Sequence, residues 1–158
     1  MTKGLFAKGK RGHIYLEWDN GRNVIVKKKN PNSKTDTLSI EAKFLQIVNK
    51  YNIGPKIINF CGEEIVMEFI KGDFILDFIE KNNKKDVMGV LLKIFEQMFI
   101  LDKLGINKFE MTHPHKHIIV RKKEPILIDF ERCRYSEKPK NISQYCPVSY
   151  THLRAHET

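Results

Sequence analysis

The sequence predicts an α+β protein: a sheet-rich first part carrying one helix, followed by a mainly helical second part. Three observations predict it. Alternating apolar runs broken by short turns occupy residues 4–29 and 56–70, the period-two pattern of half-buried strands. Between them, residues 39–50 place apolar side chains at helical spacing. Beyond Lys71-Gly72 the strand pattern stops and long helical spacing begins.

Size and composition agree with two small lobes. The chain has 158 residues, enough for one compact domain or a pair of lobes sharing a cleft. With 41% hydrophobic and 30% charged residues, it can bury a real core and stay solvated. No apolar run approaches the roughly 20 residues that span a bilayer, so no membrane association is expected. The opening Met1-Thr2-Lys3-Gly4-Leu5-Phe6 lacks the apolar core of a secretory signal. Cys61, Cys133 and Cys146 are few, odd in number and widely spaced, which fits a reducing, cytoplasmic setting better than a disulfide framework. The formal charge of +9 favours nucleotide phosphates, nucleic acid or an acidic partner surface. Charge alone does not choose among them.

The elements follow in order. Ile14 to Trp18 and Asn23 to Lys27 form a hairpin about Asp19-Asn20-Gly21, because Asn-Gly between alternating runs is a strong hairpin signal. Lys28 to Thr37 is polar, contains Pro31 and reads as a loop. Ser39 to Lys50 reads as an amphipathic helix with Ile40, Phe44, Ile47 and Val48 on one stripe, ended by Asn52 and Gly54-Pro55. Two strands follow, Lys56 to Phe60 and Glu64 to Ile70. Phe74 to Lys81 is a short helix; Lys85 to Leu104 is a longer one, with Val87, Val90, Leu91, Ile94, Phe95, Met98 and Leu101 at helical spacing. Gly105 stops it as a glycine cap does. The remainder reads as loop and short strand: Ile118 to Val120, a charged turn from Arg121 to Glu124, and Pro125 to Phe130.

Several residues carry chemistry. Ala7-Lys8-Gly9-Lys10-Arg11-Gly12-His13-Ile14 joins two strands; its glycines let backbone amides approach phosphate oxygens, or they make a simple turn. Lys27 ends the apolar run Val24-Ile25-Val26, and Glu41 lies early on the next helix. Taken alone Lys27 is a solvated lysine beside Lys28 and Lys29; held by a helix carboxylate, it reaches nucleotide phosphates. Asp129 follows Pro125-Ile126-Leu127-Ile128, either as a capping residue or as a ligand for Mg²⁺, a hard cation suited to carboxylate oxygen. His113, His115 and His117 alternate, but Pro114 opposes a regular strand there and no cysteine is near, which argues against zinc.

In this order and spacing the features resemble the protein kinase-like superfamily over Leu5 to about Arg134. Ala7-x-Gly9-x-x-Gly12-x-Ile14 resembles its glycine-rich loop with Ala7 in place of the first glycine. Val24-Ile25-Val26-Lys27 is similar to the strand lysine, Glu41 to its helix partner, Met67-Glu68-Phe69 to the hinge and Ile128-Asp129-Phe130 to the metal-binding segment. The stretches Leu101 to Ile106, Pro114 to Val120, Leu127 to Arg132 and Glu137 to Ile142 are most similar to small archaeal proteins described as predicted serine/threonine kinases, related to the RIO and Bud32 groups.

The resemblance implies a bilobal fold, with a sheet-and-helix lobe over 1–70 and a partial helical lobe over 71–147. It implies Mg²⁺ and ATP bound between the lobes, with Gly9, Lys10, Gly12, Ile14, Lys27, Met67, Glu68 and Phe69 at the nucleotide and Asp129 at the metal. The catalytic loop departs from the family. Aligning Ile118-Ile119-Val120 with the strand after that loop puts Thr112 at the base aspartate and His117 at the metal-binding asparagine. Threonine is no carboxylate base, and imidazole is a poor Mg²⁺ ligand. Glu110 and Glu131, the latter in place of the glycine after Asp-Phe, are the available carboxylates; each is otherwise a solvated or salt-bridged acid. Lys116 or His117 offers charge to the γ-phosphate.

The expected function is an atypical ATP-dependent serine/threonine protein kinase acting on an unidentified protein. The alternatives are a catalytically weak ATP-binding or ATPase module acting as a switch, and an RNA-associated factor using Lys8, Lys10, Arg11, Lys27 to Lys29 and Arg121 to Lys123. Val148 to Thr158 back-translates into the frame of a transposon-type sequencing adapter. Residues 148–158 are therefore expected to be an artefact, with the natural chain expected to continue beyond Pro147.

Overall fold

The computed structural model describes residues 4–8, 12–109 and 114–157. It divides into two compact units: Met1–Phe69 with Phe130–Arg132, and Ile70–Asp129 with Cys133–Thr158.

The first unit is built on an antiparallel sheet of five strands: β1 (Gly4–Lys8), β2 (Gly12–Asp19), β3 (Arg22–Lys29), β4 (Ile57–Phe60) and β5 (Glu64–Glu68), in the order β1-β2-β3-β5-β4. The β2–β3 turn forms where expected. Asn20 and Gly21 both take positive φ, 47° and 80°, the two-residue geometry that Asn-Gly accommodates at least cost. Helix α1 (Thr37–Val48) starts two residues before the expected point because Asp36 caps it, accepting from the Ser39 amide at 3.1 Å. Its buried face runs through Leu38, Glu41, Ala42, Phe44, Leu45 and Val48, while Ile40 is exposed. The stripe expected from Ile40, Phe44, Ile47 and Val48 is thus rotated about the helix axis. A hydropathy pattern assigns Glu41 to the solvent side, whereas here it lies in the middle of the buried one. After α1, Asn49 donates to the carbonyls of Ile53 and Pro55 at 3.0 Å each and accepts from the Ile57 amide at 2.9 Å. One side chain so fastens the helix end to β4. Fully buried Phe130 lies with Leu45 against Gly54.

The second unit has β6 (Asp73–Phe74), α2 (Ile75–Lys81), α3 (Lys84–Lys103), β7 (Ile106–Asn107), β8 (Ile118–Arg121), β9 (Glu124–Leu127), β10 (Arg134–Tyr135) and α4 (Asn141–Glu157). Strands β6, β8 and β9 form one small sheet and β7 with β10 another. Gly72 is required beside the first, since a Cβ there would stand 2.3 Å from the Val120 carbonyl oxygen. On α3, Val87, Val90, Leu91, Ile94, Met98 and Leu101 are buried as expected; Phe95 is not. Gln97 of α3 donates to the Pro125 carbonyl at 3.1 Å, and Lys93 pairs with Glu124, tying the β8–β9 hairpin to the helix.

Helix α4 was not expected. It is polar, carries Pro147 in its interior, and continues through residues 148–157. Long-range partners hold it. Asp102 at the end of α3 accepts from the amides of Asn141 and Ile142 at 3.1 and 3.3 Å, serving as its N-terminal cap. Tyr145, 2% exposed, donates its hydroxyl to the Leu91 carbonyl at 3.0 Å. Burial pushes that phenol well above its ordinary range. Among the described residues no helix is long and apolar enough to cross a membrane.

Candidate functional site

In the first unit the site begins with a strand lysine. Lys27 lies opposite Ile14 on β2 and Ile65 on β5, so these three share one face of the sheet. Ile25, two residues earlier, shares that face with Met67. Lys27 therefore projects from a surface of apolar side chains, and Ile14 and Ile25 remain half-buried. Its ammonium donates to both carboxylate oxygens of Glu41, at 2.7 and 3.0 Å. The Lys27 side chain is 19% exposed and that of Glu41 only 3%. A carboxylate this deeply buried is costly without its cation, which is why Glu41 tolerates the apolar face of α1. The outcome is an ammonium fixed in place on a side chain that is itself only partly buried.

The other expected residues of this unit lie as follows. Gly12 begins β2 opposite Lys29, while Gly9 and Lys10, with Arg11, lie outside the described residues. Met67 is buried near the end of β5. Glu68 closes that strand with both its amide and its carboxylate engaged by the Lys56 backbone, at 2.9 and 3.0 Å. Phe69 follows, half-buried. Glu131 carries a carboxylate oxygen within 4.8 Å of one on Glu41.

In the second unit the expected residues gather at one end of the β8–β9 hairpin. Its ladder runs one bond past the strands, the Ile128 amide donating to the His117 carbonyl at 2.9 Å. Asp129 comes immediately after. It does not close a strand as expected: β9 ends at Leu127, and Asp129 adopts a left-handed φ of 68°. That conformation is uncommon outside glycine and is stored mostly at functional positions. His117 Nδ1 lies 3.8 Å from Asp129 Oδ2, and Asp129 Oδ1 is buried with no hydrogen-bond partner among the described residues. Lys116 is exposed. Glu110, Thr112 and His113 lie outside the described residues.

An orphaned carboxylate oxygen on a strained residue fits a cation, so Asp129 suits the metal that the sequence implied. The imidazole beside it does not suit Mg²⁺.

One group of positioning residues escaped the sequence reading. Asn141, fully buried, donates to the Ile106 carbonyl at 2.6 Å and to Asp102 at 2.8 Å, and accepts from the Lys108 amide at 2.9 Å. It thereby grips the segment running from Ile106 toward Phe109 from both sides. There Phe109 is left-handed, φ 62°, and Arg134 stacks over its ring at 4.4 Å. Nothing local in the sequence signals these partners, which lie 33 to 39 residues apart.

No family model and no curated protein matches the chain. Solved structures do match. The autoinhibited serine kinase domain of the giant muscle protein titin aligns over 85% of this chain with 19% identity and a TM-score of 0.68. This chain spans 46% of that one's length. The fold is therefore α+β and protein kinase-like, as the sequence predicted.

Proposed function

We propose that the chain is an atypical ATP-dependent serine/threonine protein kinase that binds ATP with a divalent cation and acts on a protein substrate in the cytoplasm. The observation that carries this reading is the Lys27–Glu41 pair, a partly exposed lysine held by a buried carboxylate. Such a lysine meets nucleotide phosphates, and the half-buried Ile14 and Ile25 on its face offer an apolar surface for a base. Asp129 would hold the cation, whose charge offsets that of the phosphates. The finer kinship with archaeal proteins of the RIO and Bud32 kind rests on the sequence resemblance.

Transfer does not demand a strong base, because phosphoryl transfer depends chiefly on positioning and charge stabilisation. The sequence has no aspartate between Asp102 and Asp129. Losing a general base costs typically about 10²–10⁴-fold, so slow transfer is the expected behaviour. Measuring ATP binding and γ-phosphate release or transfer side by side tests the proposal. Binding with slow turnover supports it. Binding with no turnover makes the chain an ATP-binding module, and absence of binding removes the proposal altogether.

A further inference from the structure

The geometry points to a mixed nitrogen–oxygen metal site, formed by His117 Nδ1 and Asp129, that takes a divalent transition-metal ion in preference to Mg²⁺. The inference rests on the nucleotide-binding reading for its role but not for its existence, since both ligands belong to the second unit.

Both residues leave the same end of the β8–β9 hairpin, where Ile128 is bonded to the His117 carbonyl. Their spacing is therefore set by a strand ladder, a rigid support for a ligand pair. The 3.8 Å between Nδ1 and Oδ2 is too long for a hydrogen bond. Two donors at about 2.1 Å from one ion stand roughly 3.0–3.4 Å apart in octahedral or tetrahedral geometry, so closure by about half an ångström makes a bite. Asp129 Oδ1, buried and without a hydrogen-bond partner among the described residues, gives the carboxylate a second oxygen for the ion. The side chains remain 16% and 32% exposed, leaving an entry path and room for water or phosphate oxygens as further ligands. Ligand type then decides the ion. Mg²⁺ prefers all-oxygen shells, whereas Mn²⁺, Co²⁺ and Zn²⁺ accept imidazole.

Mn²⁺ alone is the probe. It is titrated into the full chain and followed by electron paramagnetic resonance, with spin-echo modulation reporting any directly bound nitrogen. One Mn²⁺ bound per chain with ¹⁴N coupling is expected. His117→Asn should abolish the coupling and weaken Mn²⁺ by at least the roughly tenfold lost when a mere outer-shell partner goes, while Mg²⁺ binding holds or improves. Should that variant fail to fold, ¹⁵N-histidine in the unaltered chain must change the coupling pattern. Mn²⁺ bound without nitrogen coupling, coupling that survives in folded His117→Asn, or no Mn²⁺ binding would each overturn the inference. A parallel ATP titration with Mg²⁺ separates the two readings: ATP bound without nitrogen coupling sinks only the mixed site, and nitrogen coupling without ATP binding sinks only the nucleotide proposal.

Discussion

Lys27 and Glu41 form a two-pronged ion pair of unequal depth: the carboxylate is sealed in the first unit, while the lysine side chain is partly exposed. Removing either partner should therefore have different consequences. Lys27→Ala strands a buried charge and should cost about 3 kcal/mol, as broken buried pairs do. Glu41→Ala lets the lysine turn to solvent and should cost nearer 1 kcal/mol. Urea unfolding of both variants checks the asymmetry; equal losses would show that the burial difference has no energetic meaning.

Asp129 stores strain that its function would justify. Asp129→Gly removes both the left-handed side-chain penalty at φ 68° and a buried oxygen that has no hydrogen-bond partner among the described residues. Its thermal stability should rise, by about 1 kcal/mol, while binding of ATP with its cation falls. A variant that loses stability would show that Asp129 is held for the fold.

Asn141 satisfies the Ile106 carbonyl, the Lys108 amide and Asp102 at once. Asn141→Ala should cost about 3 kcal/mol, since each buried polar group left unmet costs about 1–3 kcal/mol. Hydrogen exchange should accelerate at Ile106 to Phe109 and in the first turn of α4 more than in β8 or β9. Uniform acceleration would mean that Asn141 does not specifically anchor that segment.

Gly72→Ala puts a methyl group 2.3 Å from a backbone oxygen of Val120. Strands β6 and β8 must then separate, at about 1–3 kcal/mol. A chemical melt of the variant measures the loss.

Tyr145 links stability to alkaline pH. Its ordinary pKa is 10.0 and burial raises it in the folded state, so the unfolded chain loses this proton first. The contribution is whole below pH 10 and declines as pH rises toward the folded value. Tyr145→Phe should be less stable near neutrality, through loss of the Leu91 bond, yet show a shallower decline above pH 10. Parallel slopes for the two proteins would contradict the assignment.

Legibility in the sequence followed the range of the interaction. The Asn20-Gly21 hairpin and the strand lysine were readable because turn chemistry and alternation act over a few residues. Glu41 was readable as a partner by order along the chain, but its presence on the buried face misled the helical stripe and left Ile40 wrongly assigned inward. Asp129 looked like a strand end because Pro125 to Phe130 is continuously apolar around it, and apolar pattern says nothing about φ. Helix α4 was illegible since its cap, Asp102, and its anchor, Leu91, lie 39 and 54 residues away. The approach of His117 to Asp129, 12 residues on in sequence, depends on the pairing of β8 with β9, which residue type alone does not reveal.

In the proposed function Lys27, positioned by Glu41, receives the phosphates of ATP. Calorimetric titration of Mg·ATP into the unaltered chain and into Lys27→Met/Glu41→Gln, which removes both charges together and so strands neither, tests it most directly. Saturable one-to-one binding that weakens at least about tenfold, or 1.4 kcal/mol, in the folded double variant is the predicted result. Equal affinity in the two proteins, or no binding by the unaltered chain, would contradict it.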